Sequence, residues 1–450
     1  LLLLTFFLGG VAVLASWREI TYSIGFFHLN VLLAVAGVAG VFMARDLFLF
    51  YFAWELMLVP TYFLIAVWGQ ENRVHAALKY FIFTQLSGLL MLVAILSLYF
   101  LHHHETGVYT FSYAALLGTA FPPGTEMWIM LGFFIAFAVK LPAVPFHTWL
   151  PDAQMAAPTA ANLTGLLLEV GAYGMLRFLL PLFPHAAHVF APVAMALGIV
   201  GILYGGLLAF SQTDFKRMLA YISVSHLGFV LLGIFVGNDW ALEGALVAMI
   251  SHGLSIGGLF LVAGALRERM RTGELARMGG LWAIVPRLSG SGLFFALAAL
   301  GLPGLGDFIG EFLVLLGTWP RSIPLAAIAA VGVIASTVYA VRLVQAAFHG
   351  PNVHNWRFAD IVPREAMAIG CMAAILLWLG LYPQPVIATF QPVATSIQDT
   401  LHARQTTKPS IAKLALRPQP PPRPQVLTLI WPSRRLRASA VNQSGDHERR

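Results

Sequence analysis

Apolar runs of about 20 residues, each long enough to carry an α-helix across a hydrocarbon layer, recur through most of this chain. A bilayer leaves few options, because backbone polar groups find no water there and only helices or closed barrels span it. The runs are continuous rather than alternating, which excludes a barrel. The expected fold is all-α, a polytopic membrane helix bundle. Composition agrees: 58% of residues are hydrophobic and 10% charged, outside the range of soluble domains.

Charges, glycines and prolines bound spans at 1–16, 28–44, 47–68, 78–101, 128–149, 158–182, 190–210, 217–236, 242–264, 292–317, 325–348 and 366–388. The first is short and starts at Leu1, so we expect an incomplete helix with the natural N-terminus further upstream, and no signal peptide. Alternating the loops between two sides gathers Arg18, Arg73, Lys216, Arg217, Arg267, Arg269, Arg271, Arg277, Arg287, Arg357 and Arg364 on one face. Arg45 and Arg321 fall on the other, so the first face reads as cytoplasmic. Residues 400–450 form a basic, Pro-rich tail whose composition predicts disorder.

The net charge of +7 lies in loops and tail. No basic helix is interleaved with aromatics, so no nucleic-acid partner is expected. The single cysteine, Cys371, sits in an apolar run. Without CxxC pairs there is no expected metal site or iron–sulfur ligation, and without GxGxxG, GKS/GKT or HExxH no nucleotide-driven pumping or proteolysis.

Two spans carry a similar interruption, Val139-Lys140-Leu141-Pro142 and Gly301-Leu302-Pro303-Gly304. Proline removes a backbone hydrogen bond, and such a break survives in a membrane only where protein or a wet cavity satisfies the freed carbonyls. The breaks fall at matching places in two five-helix blocks, 28–182 and 190–348, the pattern of an inverted-repeat transporter. Ordinary proline kinks are the competing reading.

A charge at mid-bilayer costs about 2.5–3.5 kcal/mol on insertion scales, so each one calls for a partner or water. Glu55 lies mid-span. Lys140 stands beside the first break, where apolar surroundings and a nearby carboxylate act oppositely on its charge, making it a switchable proton carrier. Glu169 is in the 158–182 run, and Asp307 and Glu311 follow the second break one helical turn apart. A proton path is one reading; buried ion pairs that only orient helices are the other. Asp307 also fits the cap of the second half-helix. His147, His226 and His252 can accept on one ring nitrogen and donate from the other, which suits a relay. His102, His103 and His104 are expected in a solvated external loop.

At Trp54-Glu55-Leu56-Met57-Leu58-Val59-Pro60-Thr61-Tyr62-Phe63-Leu64-Ile65 the sequence resembles the antiporter-like chain M family of proton-pumping NADH:quinone oxidoreductase, respiratory complex I. Further matches are the stretch from Ala138 to Ala153, Ala157-Pro158-Thr159-Ala160, Gln212-Thr213-Asp214-Phe215-Lys216-Arg217 and Gly310-Glu311-Phe312. The likeness runs to about residue 395.

The resemblance implies two inverted five-helix repeats, with roughly two helices and part of a third missing ahead of Leu1. It implies a multi-pass subunit of the bacterial inner membrane. Its expected partners are the lipid bilayer and the other membrane and peripheral subunits, neighbouring antiporter-like chains included. NADH, FMN, iron–sulfur clusters and quinone belong to those other subunits, and no cofactor to this chain. It pairs Glu55 with Lys140, makes Glu169 the linking site and Glu311 the exit, and uses His147, His226 and His252 between them. Lys79 and Lys216 match basic positions near helix ends. The family pattern usually has lysine where this chain has Glu169, which reverses the charge of the middle step. The tail after about residue 400 does not resemble the family. A large chain of a multisubunit sodium/proton antiporter or membrane-bound hydrogenase resembles the same family, and a scaffold with purely structural charges is the alternative outside transport.

Overall fold

The computed structural model describes residues 1–122, 124–164 and 167–406, with side chains described through residue 399. Among the described residues the regular elements are all helices, besides two isolated β-bridges, Asp46 to Ser112 and Asp214 to Glu274. The helices are α1 (Leu2–Glu19), α2 (Ile24–Met43), α3 (Leu47–Trp68), α4 (Arg73–Thr106), α5 (Tyr113–Leu116), α6 (Thr125–Lys140), α7 (Trp149–Ala156), α8 (Thr159–Thr164), α9 (Glu169–Gly174) and α10 (Leu180–Leu182). There follow α11 (Pro184–Ser211), α12 (Phe215–Val236), α13 (Asp239–Met270), α14 (Pro286–Ala299), α15 (Gly306–Arg321), α16 (Ile323–Phe348), α17 (Pro363–Leu381) and α18 (Gln384–Thr406). Among the described residues ten helical stretches are long and apolar enough to cross a membrane.

Helix starts follow local side-chain chemistry. Asp46 accepts from the amides of Phe48 and Leu49, and Asp214 from that of Arg217, each supplying an acceptor to a first-turn amide of α3 or α12. Large apolar side chains such as Ile82, Leu86, Val93 and Phe100 project from α4 where lipid would be. By contrast α12 and α13 are buried on nearly every side and form the axis of the bundle. Gly310 lets α15 close on α13: a Cβ there would lie 2.6 Å from the backbone nitrogen of Ala248.

Both interrupted spans are broken helices. The first leaves α6 at Lys140 and resumes at Trp149; the second leaves α14 at Ala299 and resumes at Gly306. Protein groups satisfy the carbonyls beside each break, with Trp149 Nε1 donating to Val139 O at 2.9 Å and Ser336 Oγ donating to Leu300 O at 3.1 Å. Gly301 (φ +80°) and Gly304 (φ +99°) supply backbone conformations that side-chain-bearing residues resist.

Three expectations need correction. His102–His104 are the last turns of α4 and not a loop, because the helix runs on to Thr106. There His102 is buried with Nδ1 2.9 Å from Thr119 Oγ1, and His103 stacks on Tyr109. The span placed at 366–388 ends at Leu381, since Pro383 forces the chain out of helix before α18 begins. Helix α18 runs through residues 400–406, so the first residues of the expected tail are helical; the rest lies outside the described residues.

Candidate functional site: a buried acid–imidazole row

Glu169 opens α9 rather than sitting within a continuous helix, and its Oε1 lies 2.9 Å from His252 Nδ1 on α13. His252 faces His226 on α12 with ring centroids 6.1 Å apart, a separation that one water can bridge. His226 Nδ1 is 2.8 Å from Glu311 Oε1 on α15, and its Nε2 is 3.1 Å from the hydroxyl of Tyr339 on α16. The His226–Glu311 approach has ion-pair length but is out of line for a hydrogen bond, and neither oxygen of Glu311 has one among the described residues. All four side chains are at most 5% exposed. The axis of the bundle therefore carries carboxylate, imidazole, imidazole, carboxylate in that order.

Asp307 joins this row from the side. Its Oδ1 accepts from Ser255 Oγ at 3.1 Å, and Oδ2 is buried without a partner among the described residues. It occupies the first turn of α15 but makes no cap, so its carboxylate faces α13.

Glu55 and Lys140 lie apart from that row. Lys140 ends α6, is 2% exposed, and sets Nζ 5.5 Å from the centre of the Tyr80 ring. No ion pair within 4.0 Å joins it to Glu55 among the described residues. Glu55 Oε1 is buried with no hydrogen-bond partner among the described residues.

His147 stands in the loop after the first break, edge-on to Tyr204 at 5.4 Å, with Nδ1 unpartnered among the described residues. The structure records no contact from it to Lys140 or His226. The basic positions gather at one end: Lys79 Nζ lies 2.6 Å from Asp152 Oδ2, Arg217 joins the same carboxylate at 3.8 Å, and Lys216 Nζ donates to Ala157 O at 3.0 Å. Lys216 is 1% exposed, far more buried than its place near a helix end suggests.

Sequence reasoning missed Tyr339 and Glu19. Tyr339 reads as an ordinary core aromatic, and only its packing against His226 reveals the hydroxyl's role. Glu19 ends a short span and reads as interfacial, yet its carboxylate accepts from Thr159 N (3.1 Å and 3.2 Å) and from Thr159 Oγ1 (3.3 Å). No group of three His, Cys, Asp or Glu placed to hold a metal occurs among the described residues.

The family described as NADH:quinone oxidoreductase/Mrp antiporter, TM, matches residues 44–337, a stretch that includes both broken helices and the whole acid–imidazole row apart from Tyr339. The chain belongs to this family. Within it, the chain is 51% identical over 412 residues to NADH-quinone oxidoreductase subunit M of Pseudomonas aeruginosa, covering 90% of this chain and 81% of that protein. It is 48% identical over 420 residues to NADH-quinone oxidoreductase subunit M of Escherichia coli K12, covering 91% and 82%. A chain of respiratory complex I from Thermus thermophilus with bound NADH superposes with a TM-score of 0.80 at 34% identity, covering 89% of this chain and 83% of that one.

Proposed function

We infer that this chain is the proton-translocating M-type membrane subunit of NADH:quinone oxidoreductase, complex I, coupling electron transfer from NADH to quinone with proton pumping. The observation that carries the reading is the buried row from Glu169 through His252 and His226 to Glu311. Burying several ionisable groups in an apolar bundle is costly, and a row of acids and imidazoles in close succession is an arrangement suited to passing protons. The likeness to subunit M of Pseudomonas aeruginosa and Escherichia coli supports it.

In this reading, residues 28–182 and 190–348 act as two inverted repeats, each presenting its broken helix to the proton path. Reduction of quinone elsewhere changes the charge of neighbouring chains. Glu55 and Lys140 respond as the entry pair, His147, His252 and His226 relay, Glu169 links the halves, and Glu311 releases the proton with Asp307 and Tyr339 beside it. Lys79 and Lys216 hold the basic end. The protein works in the bacterial inner membrane among the complex's other subunits, which carry NADH, FMN, iron–sulfur clusters and quinone.

The test is proton pumping per quinone reduced, in vesicles holding the assembled complex with Lys140→Ala. Lost pumping with intact assembly supports the path. Unchanged pumping makes Lys140 a structural charge and favours a scaffold. The family's description also names Mrp antiporters; sodium-coupled proton exchange without quinone reduction would identify that second reading.

A further inference from the structure

A buried ammonium usually answers to a carboxylate, but Lys140 forms no ion pair within 4.0 Å among the described residues. What stands against it is an aromatic face. Lys140 Nζ lies 5.5 Å from the centre of the Tyr80 ring, inside the range of about 6 Å at which the electron-rich face of a ring attracts a cation. Tyr80 is fully buried and Lys140 is 2% exposed, so bulk water screens neither.

The ring is itself held in place. Tyr80 lies on α4 and packs its ring on Trp149 of α7, with centroids 5.3 Å apart and planes tilted by 50°. The Trp149 indole donates in turn to Val139 O at 2.9 Å, the carbonyl next to Lys140 where α6 breaks. Three elements meet at the break: α6 supplies the ammonium, α4 the ring, and α7 the indole that ties the ring to the backbone beside Lys140. The neighbouring Lys79 on α4 turns elsewhere, with its ammonium 2.6 Å from Asp152 Oδ2.

We propose that Tyr80 is a positioning residue for Lys140, its ring seating the ammonium at the first helix break through a cation–π contact. This rests on the reading of Lys140 as a proton carrier and adds what holds the carrier between turnovers. An aromatic seat suits that task. It stabilises the charged amine without bringing a charge of its own, so when the proton passes on, two neutral groups remain. A proton leaving a contact ion pair instead strands a buried carboxylate. The acting part is the ring rather than the hydroxyl, because the ring face is what Nζ meets.

The experiment grades the ring's electron density while keeping its shape. Phenylalanine and its mono-, di- and trifluorinated analogues replace Tyr80 by nonsense suppression, and protons moved per quinone reduced are measured in vesicles holding the assembled complex, beside Tyr80→Leu and Lys140→Ala. Native gels follow assembly. Each fluorine draws electron density from the ring face and weakens its pull on a cation, an effect to which a residue that only fills space is indifferent. The expected result is parent-like pumping in Tyr80→Phe, a stepwise fall along the fluorinated series to about tenfold below the parent, and a similar loss in Tyr80→Leu. Equal pumping across the fluorinated series, with Lys140→Ala defective, would overturn the seat whatever Tyr80→Leu does, and would leave Lys140 in the path. Parent-like pumping in Lys140→Ala would overturn the proton-carrier reading and the seat with it.

Discussion

His252 Nδ1 meets Glu169 Oε1 at 2.9 Å, tying the axial helix α13 to the start of α9 at the middle of the acid–imidazole row. Besides the facing ring of His226, no other side-chain partner of this pair is recorded among the described residues. Removing the charge from Glu169 leaves the imidazole held by a neutral amide at best. A buried hydrogen bond to a charged group contributes about 1.5–3 kcal/mol. Glu169→Gln is therefore expected to slow proton translocation by roughly ten- to a hundredfold, measured as protons moved per quinone reduced in vesicles. Parent-like pumping would remove Glu169 from the path.

Tyr339 tests the far end of the row. Its hydroxyl sits 3.1 Å from His226 Nε2, and deleting it changes no apolar packing. Tyr339→Phe should reduce pumping about fivefold, the equivalent of about 1 kcal/mol for one neutral hydrogen bond. Assembly should be unaffected, so a loss of the subunit from native gels would count against this placement.

Gly88 tests Glu55. A Cβ at Gly88 would run into Glu55 Oε1, so Gly88→Ala displaces the carboxylate without touching its chemistry. We expect pumping to fall as it does in Glu55→Gln, while quinone reduction continues. Wild-type pumping in Gly88→Ala would show that the position of Glu55 is unimportant.

Arg269 separates stability from transport. Its guanidinium makes a forked pair with Glu365, 3.1 Å to Oε1 and 2.8 Å to Oε2, and also reaches the Ala359 and Asp360 carbonyls. Both side chains are mostly buried, at 12% and 13% exposed. Arg269→Ala should cost about 3 kcal/mol by leaving the Glu365 carboxylate without its cation, read as a lower thermal-aggregation temperature of the complex. Arg269→Lys should recover only part of it, because an ammonium cannot form the fork. Protons pumped per quinone should be unchanged in complexes that assemble.

The helix breaks show how far local chemistry carries. Pro142 and Pro303 announce them, since proline's missing N–H and its clash with the preceding turn act within a few residues. The same locality explains the error at His102–His104: a run of polar residues reads as a loop, but α4 continues because its last turns pack His102 against Thr119. The split between α17 and α18 was legible in Pro383, and hydropathy alone ran past it.

What the sequence by itself determined is the membrane, the helical architecture and the identity of the costly charges, because hydropathy and insertion cost are properties of single segments. Only the tertiary structure decided which charges meet. Glu169 and His252 are 83 positions apart, and Tyr339 and His226 are 113. Contacts at that range depend on how whole helices close on one another, at glycines such as Gly310, and no local pattern encodes them. For the same reason Glu55 and Lys140, which carry the clearest sequence signal, form no ion pair within 4.0 Å among the described residues, while Tyr339 and Glu19 acquire partners that their neighbours in sequence do not reveal.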